Sequence, residues 1–345
     1  MRLWGFLFLK LAVDVMGSDR GPETVVLGAL DAVKELGIEV VLVGDENIIN
    51  KILAENGCDV FKLIEVKHAS EVITMDEHAM EAVRRKKDSS MICAIKMVKE
   101  GSVDAMITAG STGALVAAGP IVAGRIRGML RPALATPLPS VNPNDAVLML
   151  DVGANPHCNA EHLVQFAGAG AAYYSAVFGS SKPRVALLSN GTERYKGNEA
   201  VIGAYSLLES IEEINFIGNI EARECLDARA QVIVCDGFSG NIAIKTIEGT
   251  AMNIMKLVKK ASMSNTRSKM GGLLLKPALN DVKKLMDYSE YGGAPLLGID
   301  GLLIKAHGSS DRTGIKSAIK VAITAVKHDT VELIRNAVVN IKLPK

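Results

Sequence analysis

Residues 184–210 read RVALLSNGTERYKGNEAVIGAYSLLES and contain one complete strand-to-helix transition. The apolar run 185–188 predicts a buried strand, and a helical pattern resumes near Ala200. The turn between them holds two glycines, a threonine and a lysine, but no obvious nucleophile. A strand that is apolar from end to end and leads into a helix is typical of a parallel sheet covered on both faces.

The same alternation extends over most of the chain. Predicted strands occupy 10–15, 39–43, 61–66, 105–108, 146–150, 184–188, 215–218, 232–235 and 302–305. Predicted helices lie near 23–36, 77–86, 112–122, 160–176, 198–210 and 312–336. This pattern predicts a three-layer α/β/α fold with a mostly parallel sheet. We expect residues 1–345 to form one domain of two lobes around a cleft, with the proline-containing segment 130–146 as the joint or as a loop over the cleft.

Composition excludes several classes of protein. Of the 345 residues, 48% are hydrophobic and 22% charged, so a large core is expected. A net charge of +1 and 4% aromatic residues argue against nucleic acid as a partner. The five cysteines form no CxxC pair, which is usual for a reduced cytoplasm. The apolar lead-in 1–9 is too short to span a bilayer and has no cleavage site of small residues, so we expect an extended approach to the first strand.

Polar clusters follow six of the predicted strands. In a parallel sheet such clusters meet at the carboxyl edge, where ligands bind. A single cluster is explained by helix capping, but six at one predicted edge indicate a site. The residues concerned are Asp14 and Gly17, then Gly110, Ser111, Thr112 and Gly113, then Asn155, then Gly191, Thr192, Lys196 and Gly197, then Asp236, Gly240 and Asn241, and finally His307 and Ser309.

Small residues before a helix allow backbone N–H groups to approach an anion, and Lys196 adds a full positive charge. The turn 190–198 is therefore predicted to cradle an anion. It is not a Walker loop, and no GxGxxG follows the first strand, so no nucleotide cofactor is expected. His157, Cys158, Glu161 and His162 could be read as metal ligands, but a polar loop before a capped helix explains them better, and no metal is predicted.

Two further segments stand out by charge. Residues 242–287 are predicted as a helical hairpin excursion with an apolar tip at Leu273, Leu274 and Leu275. Eight basic residues and one acidic residue lie between Lys256 and Lys284, which suits an anionic membrane surface. A dimer contact or a packed helix pair is the alternative. The run Arg84, Arg85, Lys86 and Lys87 is either a solvated helix end or a docking site for an acidic partner.

Taken together, these motifs resemble the acyl-acyl-carrier-protein:phosphate acyltransferases of bacterial phospholipid synthesis. The resemblance rests on AVDVMGSD, VRRKKDSSM, AGSTGAL, RPALATPLP, MLDVGAN, EHLVQFA, NGTERYKGNE, FIGNIEAR, DGFSGN, YGGAPLLGI and KAHGSSD, which run in order along the chain. It implies a fold similar to phosphotransacetylases and to isocitrate and isopropylmalate dehydrogenases.

The resemblance also implies an activity and its partners. The family moves a fatty acyl group from acyl carrier protein to inorganic phosphate, as a homodimer at the inner face of the cell membrane. The acyl phosphate then serves a glycerol-3-phosphate acyltransferase. On this basis we expect Lys196, Asp236, Asn241 and His307 to be catalytic, with Lys196 on the phosphate and His307 donating to the oxyanion or leaving sulfur. The other polar residues named above would bind phosphate or line the cleft.

Three alternatives remain open at this stage. A phosphotransacetylase-like enzyme would use acyl-CoA instead of acyl carrier protein. A decarboxylating dehydrogenase on the related fold would need a nicotinamide cofactor and a divalent metal. A non-catalytic protein that binds a lipid or an anion would show no acyl transfer.

Overall fold

The computed structural model describes residues 9–56, 61–142, 146–286 and 292–341. The predicted lead-in 1–9 therefore lies outside the described residues except for Leu9. Within the described ranges the strands form a single sheet of eleven members. They are β1 Lys10–Asp14, β2 Glu39–Gly44, β3 Ile64–His68, β4 Ala105–Thr108, β5 Ala133–Leu138, β6 Val147–Leu150, β7 Arg184–Ser189, β8 Asn215–Glu221, β9 Val232–Val234, β10 Ala294–Leu297 and β11 Leu302–Lys305.

Helices cover both faces of the sheet. They are α1 Gly21–Leu36, α2 Glu46–Glu55, α3 Ala79–Arg85, α4 Ser90–Lys99, α5 Thr112–Val122, α6 Ala160–Phe178, α7 Glu199–Leu208, α8 Gly237–Ser262, α9 Thr266–Met286, α10 Arg312–Lys327 and α11 Thr330–Asn340. One apolar core packs α1, α2, α6, α7, α10 and α11 against the sheet, and a second packs α3, α4, α5 and the start of α8 against the other face. The predicted three-layer α/β/α fold is confirmed.

The strand order is β3-β2-β1-β4-β11-β10-β5-β6-β9-β7-β8. Seven of the ten pairings between described strands are parallel. The three antiparallel pairings are consecutive and central: β11 with β10, β10 with β5, and β5 with β6. Three successive reversals leave β6, β9, β7 and β8 running opposite to β11, β4, β1, β2 and β3. The sheet therefore consists of two parallel halves of opposite direction.

The two central strands β5 and β10 are missing from the sequence prediction. Each contains a proline, Pro137 and Pro295, and proline is ordinarily a reason to reject a strand because it has no N–H for the ladder. The segment 130–146, predicted as a joint or loop, contains β5 instead. The predicted helix 312–336 is two helices, which separate at His328 and at Asp329, whose φ is +48°.

The two longest helices, α8 and α9, project from the sheet as a pair. Their connection falls at Met263–Asn265, so the prediction that Leu273–Leu275 form the tip is wrong. These leucines lie within α9, where Leu274 is 81% exposed. Gly272 packs against α8, since a Cβ added there would lie 2.8 Å from the Cβ of Ser262. No helix in the described ranges has both the length and the apolar character required to cross a bilayer.

Candidate active site

A cleft of about 430 Å³ opens on one face of the sheet between α5 and α8. Its floor is formed by side chains of the central strands, namely Leu134 and Thr136 of β5, Ala294 of β10 and Lys305 of β11. Thr112 and Gly113 at the start of α5 form one wall. The other wall is one face of α8 together with the loop after β6 and is lined by Val152, Gly153, Asn241, Ile244, Lys245 and Glu248.

The prediction that the polar clusters share one edge of the sheet is wrong, because the two halves of the sheet run in opposite directions. The clusters after β1, β4 and β11 end at one edge, whereas those after β6, β7 and β9 end at the other. The cleft nevertheless receives residues from both groups. β10 has four residues and is only about 13 Å long, so a cleft that crosses it reaches both edges.

Lys305 is the buried cation of the cleft. It ends β11, and its side chain lies on the floor with only 7% of the residue exposed. Burial lowers the pKa of Lys305 to about 8, while the charges of Asp19 and Asp14 oppose that shift. Its ammonium donates to the carbonyl oxygen of Ala306. Sequence reasoning missed this residue, although a lysine closing the apolar strand LLIK beside KAHGSSD was an available signal.

His307 follows Lys305 by two residues and also lines the cleft. Its Nδ1 accepts a hydrogen bond from the backbone N–H of Ser309 at 3.2 Å and lies 2.8 Å from the Ser309 hydroxyl oxygen. Because Nδ1 is an acceptor for the backbone, the neutral ring carries its proton on Nε2. His307 is therefore oriented as an Nε2–H donor, and Ser309 is the residue that orients it.

Asp14 supports the cleft from beneath. Its Oδ2 accepts a 2.7 Å hydrogen bond from the hydroxyl of Thr108, whose oxygen accepts from the N–H of Gly110 at 2.9 Å. Burial raises the pKa of Asp14, and its hydrogen bonds to Ser90 and Thr108 oppose this. Gly17 comes so close that an added Cβ would lie 2.7 Å from the Cα of Gly110. These contacts fix the loops after β1 and β4 against each other.

Asp151 performs the same task at the opposite edge. Its carboxylate accepts N–H bonds from Leu134, Gly153, Ala154 and Asn155 and a further bond from the side-chain amide of Asn155. Burial raises the pKa of Asp151, and the bonds that it accepts oppose the shift. Asn155 is 5% exposed and also donates to the carbonyl oxygen of Pro132. This loop presents Val152 and Gly153 to the cleft.

The structure brings together some of the predicted site residues. Thr112, Gly113, Asn241 and His307 line the cleft. Others act as helix caps: Ser111 caps α5, and Asp236 caps α8 by accepting from Ser239 N at 2.8 Å. Gly240 lies against Asp151, and Gly17, Gly110, Asp14, Asn155 and Ser309 support the loops around the cleft.

The turn with Lys196 lies apart from these residues. It follows β7, which is separated from β6 by β9, or about 10 Å across the sheet. The Lys196 side chain folds over Gly191, where an added Cβ would lie 2.9 Å from its Cγ, and its Nζ is 5.8 Å from the centre of the Tyr195 ring. Gly197, with φ of +110°, contacts Val201, and Thr192 is exposed. None of these residues is part of the lining of the cleft.

Metal ligands are not grouped in the described part of the chain: it contains no cluster of three or more His, Cys, Asp or Glu side chains suited to an ion. His162 instead closes a capping box with Asn159 at the start of α6. The groups in the cleft that can bind an anion or an oxyanion include the buried ammonium of Lys305, the imidazole of His307, the amide of Asn241 and the N–H groups at the start of α5.

Comparison with known sequences identifies the family of this chain. A family model described as "Fatty acid synthesis protein" matches residues 9–333. A phosphate acyltransferase of Oceanobacillus iheyensis is 48% identical over 333 residues, which cover 96% of this chain and 98% of the relative. Another, of Clostridioides difficile, is 44% identical over 324 residues and covers 94% of each chain. The chain belongs to the phosphate acyltransferase family.

Solved structures place this phosphate acyltransferase in a wider fold group. A phosphotransacetylase from Streptococcus pyogenes superimposes with a TM-score of 0.61 at 18% identity, over 93% of this chain and 94% of that one. A 4-hydroxythreonine-4-phosphate dehydrogenase from Salmonella typhimurium gives 0.52 at 13% identity, over 92% and 99%. At these identities the likeness concerns the fold alone, as the sequence predicted for phosphotransacetylases.

Proposed function

We propose that the cleft between α5 and α8 is where this phosphate acyltransferase moves a fatty acyl group from acyl carrier protein to inorganic phosphate. The observation that carries the placement is Lys305, a buried cation on the floor beside His307 and the N-terminus of α5. A charge is costly to bury unless something compensates it, and a bound phosphate dianion would do so. The N–H groups of Thr112 and Gly113 in the first turn of α5 favour the same anion.

The reaction suits a site without a catalytic triad. A phosphate oxygen attacks the thioester carbonyl carbon, a C–O bond forms, and the C–S bond breaks. The proton of HPO₄²⁻ ends on the departing sulfur, so the products are acyl phosphate dianion and the carrier thiol. Inorganic phosphate is present in substantial part as the dianion at neutral pH, and the thiol pKa is about 8.5, so neither partner needs strong activation. Positioning and stabilisation of the oxyanion are the main tasks.

The lining residues can share these tasks. Lys305 and the start of α5 hold the phosphate, and Nε2–H of His307 donates to the oxyanion or to the leaving sulfur. Asn241 faces them from α8, where its side-chain amide approaches Gly153. Asp14, Asp151 and Asp236 act indirectly, because each fixes a loop or a helix start that carries a lining residue.

Lys196 is a second candidate for the cationic side chain that binds phosphate. The turn 190–198 belongs to the same half of the sheet as Asn241, so it lies at the edge from which α8 begins. Its role requires a bound phosphate beyond the cleft lining or movement of the side chain away from Tyr195. Substitution of the two lysines in parallel separates these possibilities, as described in the Discussion.

The choice between acyl carrier protein and acyl-CoA as donor is tested by direct assay. The protein is incubated with phosphate and either palmitoyl carrier protein or palmitoyl-CoA, and acyl phosphate is trapped with hydroxylamine. We expect phosphate-dependent hydroxamate from the carrier protein at a much higher kcat/KM. Equal or greater use of CoA would support a phosphotransacetylase-like activity instead, and no hydroxamate from either donor would contradict the proposed function.

The helix pair α8–α9 is proposed to contact the inner face of the membrane. Large apolar side chains are exposed along it, including Leu257, Met270, Leu273 and Leu274. Cations surround them, as amphipathic surfaces on anionic lipid require. An acyl phosphate with a fatty tail would then be released where a glycerol-3-phosphate acyltransferase can use it. The homodimer that the family resemblance implies is a further proposal, and the same helix pair is the alternative place for its contact.

A carrier-protein docking site is proposed at the end of α3. Two of the four basic side chains there already have partners within the protein. Arg85 and Lys86 both pair with Glu77, at 3.0 and 2.6 Å, and Lys86 also donates to the carbonyl oxygen of Val72. Arg84 and Lys87 have no carboxylate partner among the described residues. The charges offered to an acidic partner are therefore chiefly those of Arg84 and Lys87.

A further inference from the structure

Glu248 is a carboxylate in the cleft that the proposed chemistry does not use. It lies on α8 and lines the cleft two turns beyond Asn241. Its Oε1 is buried and has no hydrogen-bond partner among the described residues. Lys245 lies on the same helix face three residues earlier, but it does not donate a hydrogen bond to this oxygen. A buried acceptor without a donor is unfavourable, so the position invites a donor from a ligand.

The charge of Glu248 restricts what that ligand is. An ionised carboxylate accepts hydrogen bonds and repels phosphate, so this end of the cleft is not a second anion site. A fatty acyl chain has no N–H or O–H to offer. The donor acyl carrier protein carries its thioester on a pantetheine arm, which contains two amide N–H groups close to the sulfur.

The spacing along α8 fits that arm. Asn241 and Glu248 are seven residues apart, so they lie on one helix face at a separation of about 10 Å. With bond lengths of about 1.5 Å, the second amide nitrogen of an extended pantetheine arm lies roughly 9 Å from its sulfur. If the thioester reacts between Asn241 and His307, an arm that follows α8 brings this N–H to Glu248.

We propose that Glu248 is the acceptor that recognises an amide N–H of the pantetheine arm of the acyl donor. The inference rests on the proposed function, because it assumes that the thioester reacts in this cleft. It assigns Glu248 to donor recognition and not to phosphate binding or to the transfer step.

Comparing the binding of two forms of the carrier protein measures the contribution of the pantetheine arm to affinity. Holo carrier protein has the pantetheine arm and apo carrier protein lacks it, so the ratio of their Kd values measures what the arm contributes. We expect the wild-type ratio to fall about ten-fold in Glu248→Ala, as for loss of a hydrogen bond to a charged group. Glu248→Gln keeps an acceptor oxygen and should lose less. Thr246→Ala, an exposed position on the same helix, serves as the control and should keep the full ratio.

Each other outcome counts against the proposal. A wild-type ratio near one would mean that the arm is not recognised, and an unchanged ratio in Glu248→Ala would mean that Glu248 is not its acceptor. Circular dichroism of each variant identifies a misfolded protein, in which case Glu248→Gln supplies the ratio. Failure of the proposed function would look different, since wild-type protein would then form no acyl hydroxamate whatever the Kd ratio.

Discussion

Gly240, in the first turn of α8, packs directly on the backbone of Asp151: a Cβ built on Gly240 would lie 2.0 Å from the Asp151 carbonyl oxygen. The contact joins the helix that carries Asn241 and Glu248 to the loop that carries Val152 and Gly153. Both belong to the same wall of the cleft. The packing of this wall therefore requires a residue without a Cβ at position 240.

Gly240→Ala should thus destabilise the protein and distort the cleft. The backbone atoms must move apart, and such overpacking costs about 1–3 kcal/mol. Thermal denaturation and the hydroxamate assay measure the two effects. Gly249→Ala is the matched control, because a Cβ at Gly249 meets nothing within 4 Å and should stabilise α8 by up to about 1 kcal/mol. Equal melting temperatures for the two variants would contradict this account.

Lys305→Ala should lower kcat/KM for acyl transfer about 100-fold or more, since it removes the preorganised charge that binds the attacking phosphate. Lys196→Ala is assayed beside it with the same donor and phosphate concentrations. A large loss for both variants would mean that Lys196 also reaches the bound phosphate. A large loss for Lys196→Ala with an unchanged Lys305→Ala would overturn the placement of phosphate in the cleft.

Lys305 also predicts a pH dependence. Burial lowers its pKa from 10.5 to about 8, so the folded protein releases this proton at a lower pH than the unfolded chain. Between pH 8 and 10.5 the unfolded chain binds more protons, and the contribution of Lys305 to the free energy of unfolding rises with pH. Over the same range acyl-transfer activity should fall, because Lys305 loses the positive charge that binds phosphate. Urea denaturation of wild type and Lys305→Met at pH 7 and 9.5 tests this, as the variant should lack that contribution.

The exposed leucines of α9 make membrane contact testable. Leu274→Glu places a charge on the most exposed of them and should reduce co-sedimentation with anionic vesicles at least several-fold, with transfer from soluble carrier protein retained. Val339→Glu, at a 65% exposed position on α11, is the control. If vesicle binding persists while gel filtration shows dissociation of a dimer, the helix pair is a subunit contact and the membrane proposal is wrong.

The basic end of α3 can be tested by charge reversal. Arg84→Glu should raise KM for acyl carrier protein several-fold with little change in kcat, and the effect should shrink at high ionic strength. With an acyl pantetheine substrate, which has no protein surface, the variant should match wild type. Lys86→Ala is a poor probe because Lys86 holds Glu77 and Val72. An equal loss on both substrates would contradict docking at this surface.

Sequence patterns predicted most strands and the three layers because a strand buried on both faces must be apolar from end to end. They predicted a mostly parallel sheet but not the reversal at its centre, because that depends on which strands pair. β5 and β10 carry Pro137 and Pro295 and were the two strands that reverse the sheet. Their omission explains why six clusters were assigned to one edge.

For the site, the sequence identified the loops but not whether each residue supports the structure or lines the cleft. Asp236 and Ser111 satisfy helix N-termini, and Asp14 and Asn155 satisfy buried loops, and these tasks favour the same residue types as ligand binding. Thr112, Gly113, Asn241 and His307 could be placed by motif. Lys305 was missed although it closes a strand directly before His307, because its burial was not evident from the sequence. Glu248 could not be identified, because its significance lies in a buried oxygen without a hydrogen-bond partner among the described residues, which only the packing reveals.

The three antiparallel pairings at the centre of the sheet also determine the shape that a bound molecule must have. Neighbouring strands are rotated by about 20°, so the direction of the sheet turns by roughly 60° between β11, which carries Lys305, and β6, which leads to Gly153. The floor of the cleft is accordingly a saddle. A flexible thioester can follow that curvature, whereas a straight, rigid inhibitor cannot stay in contact with the floor over its whole length.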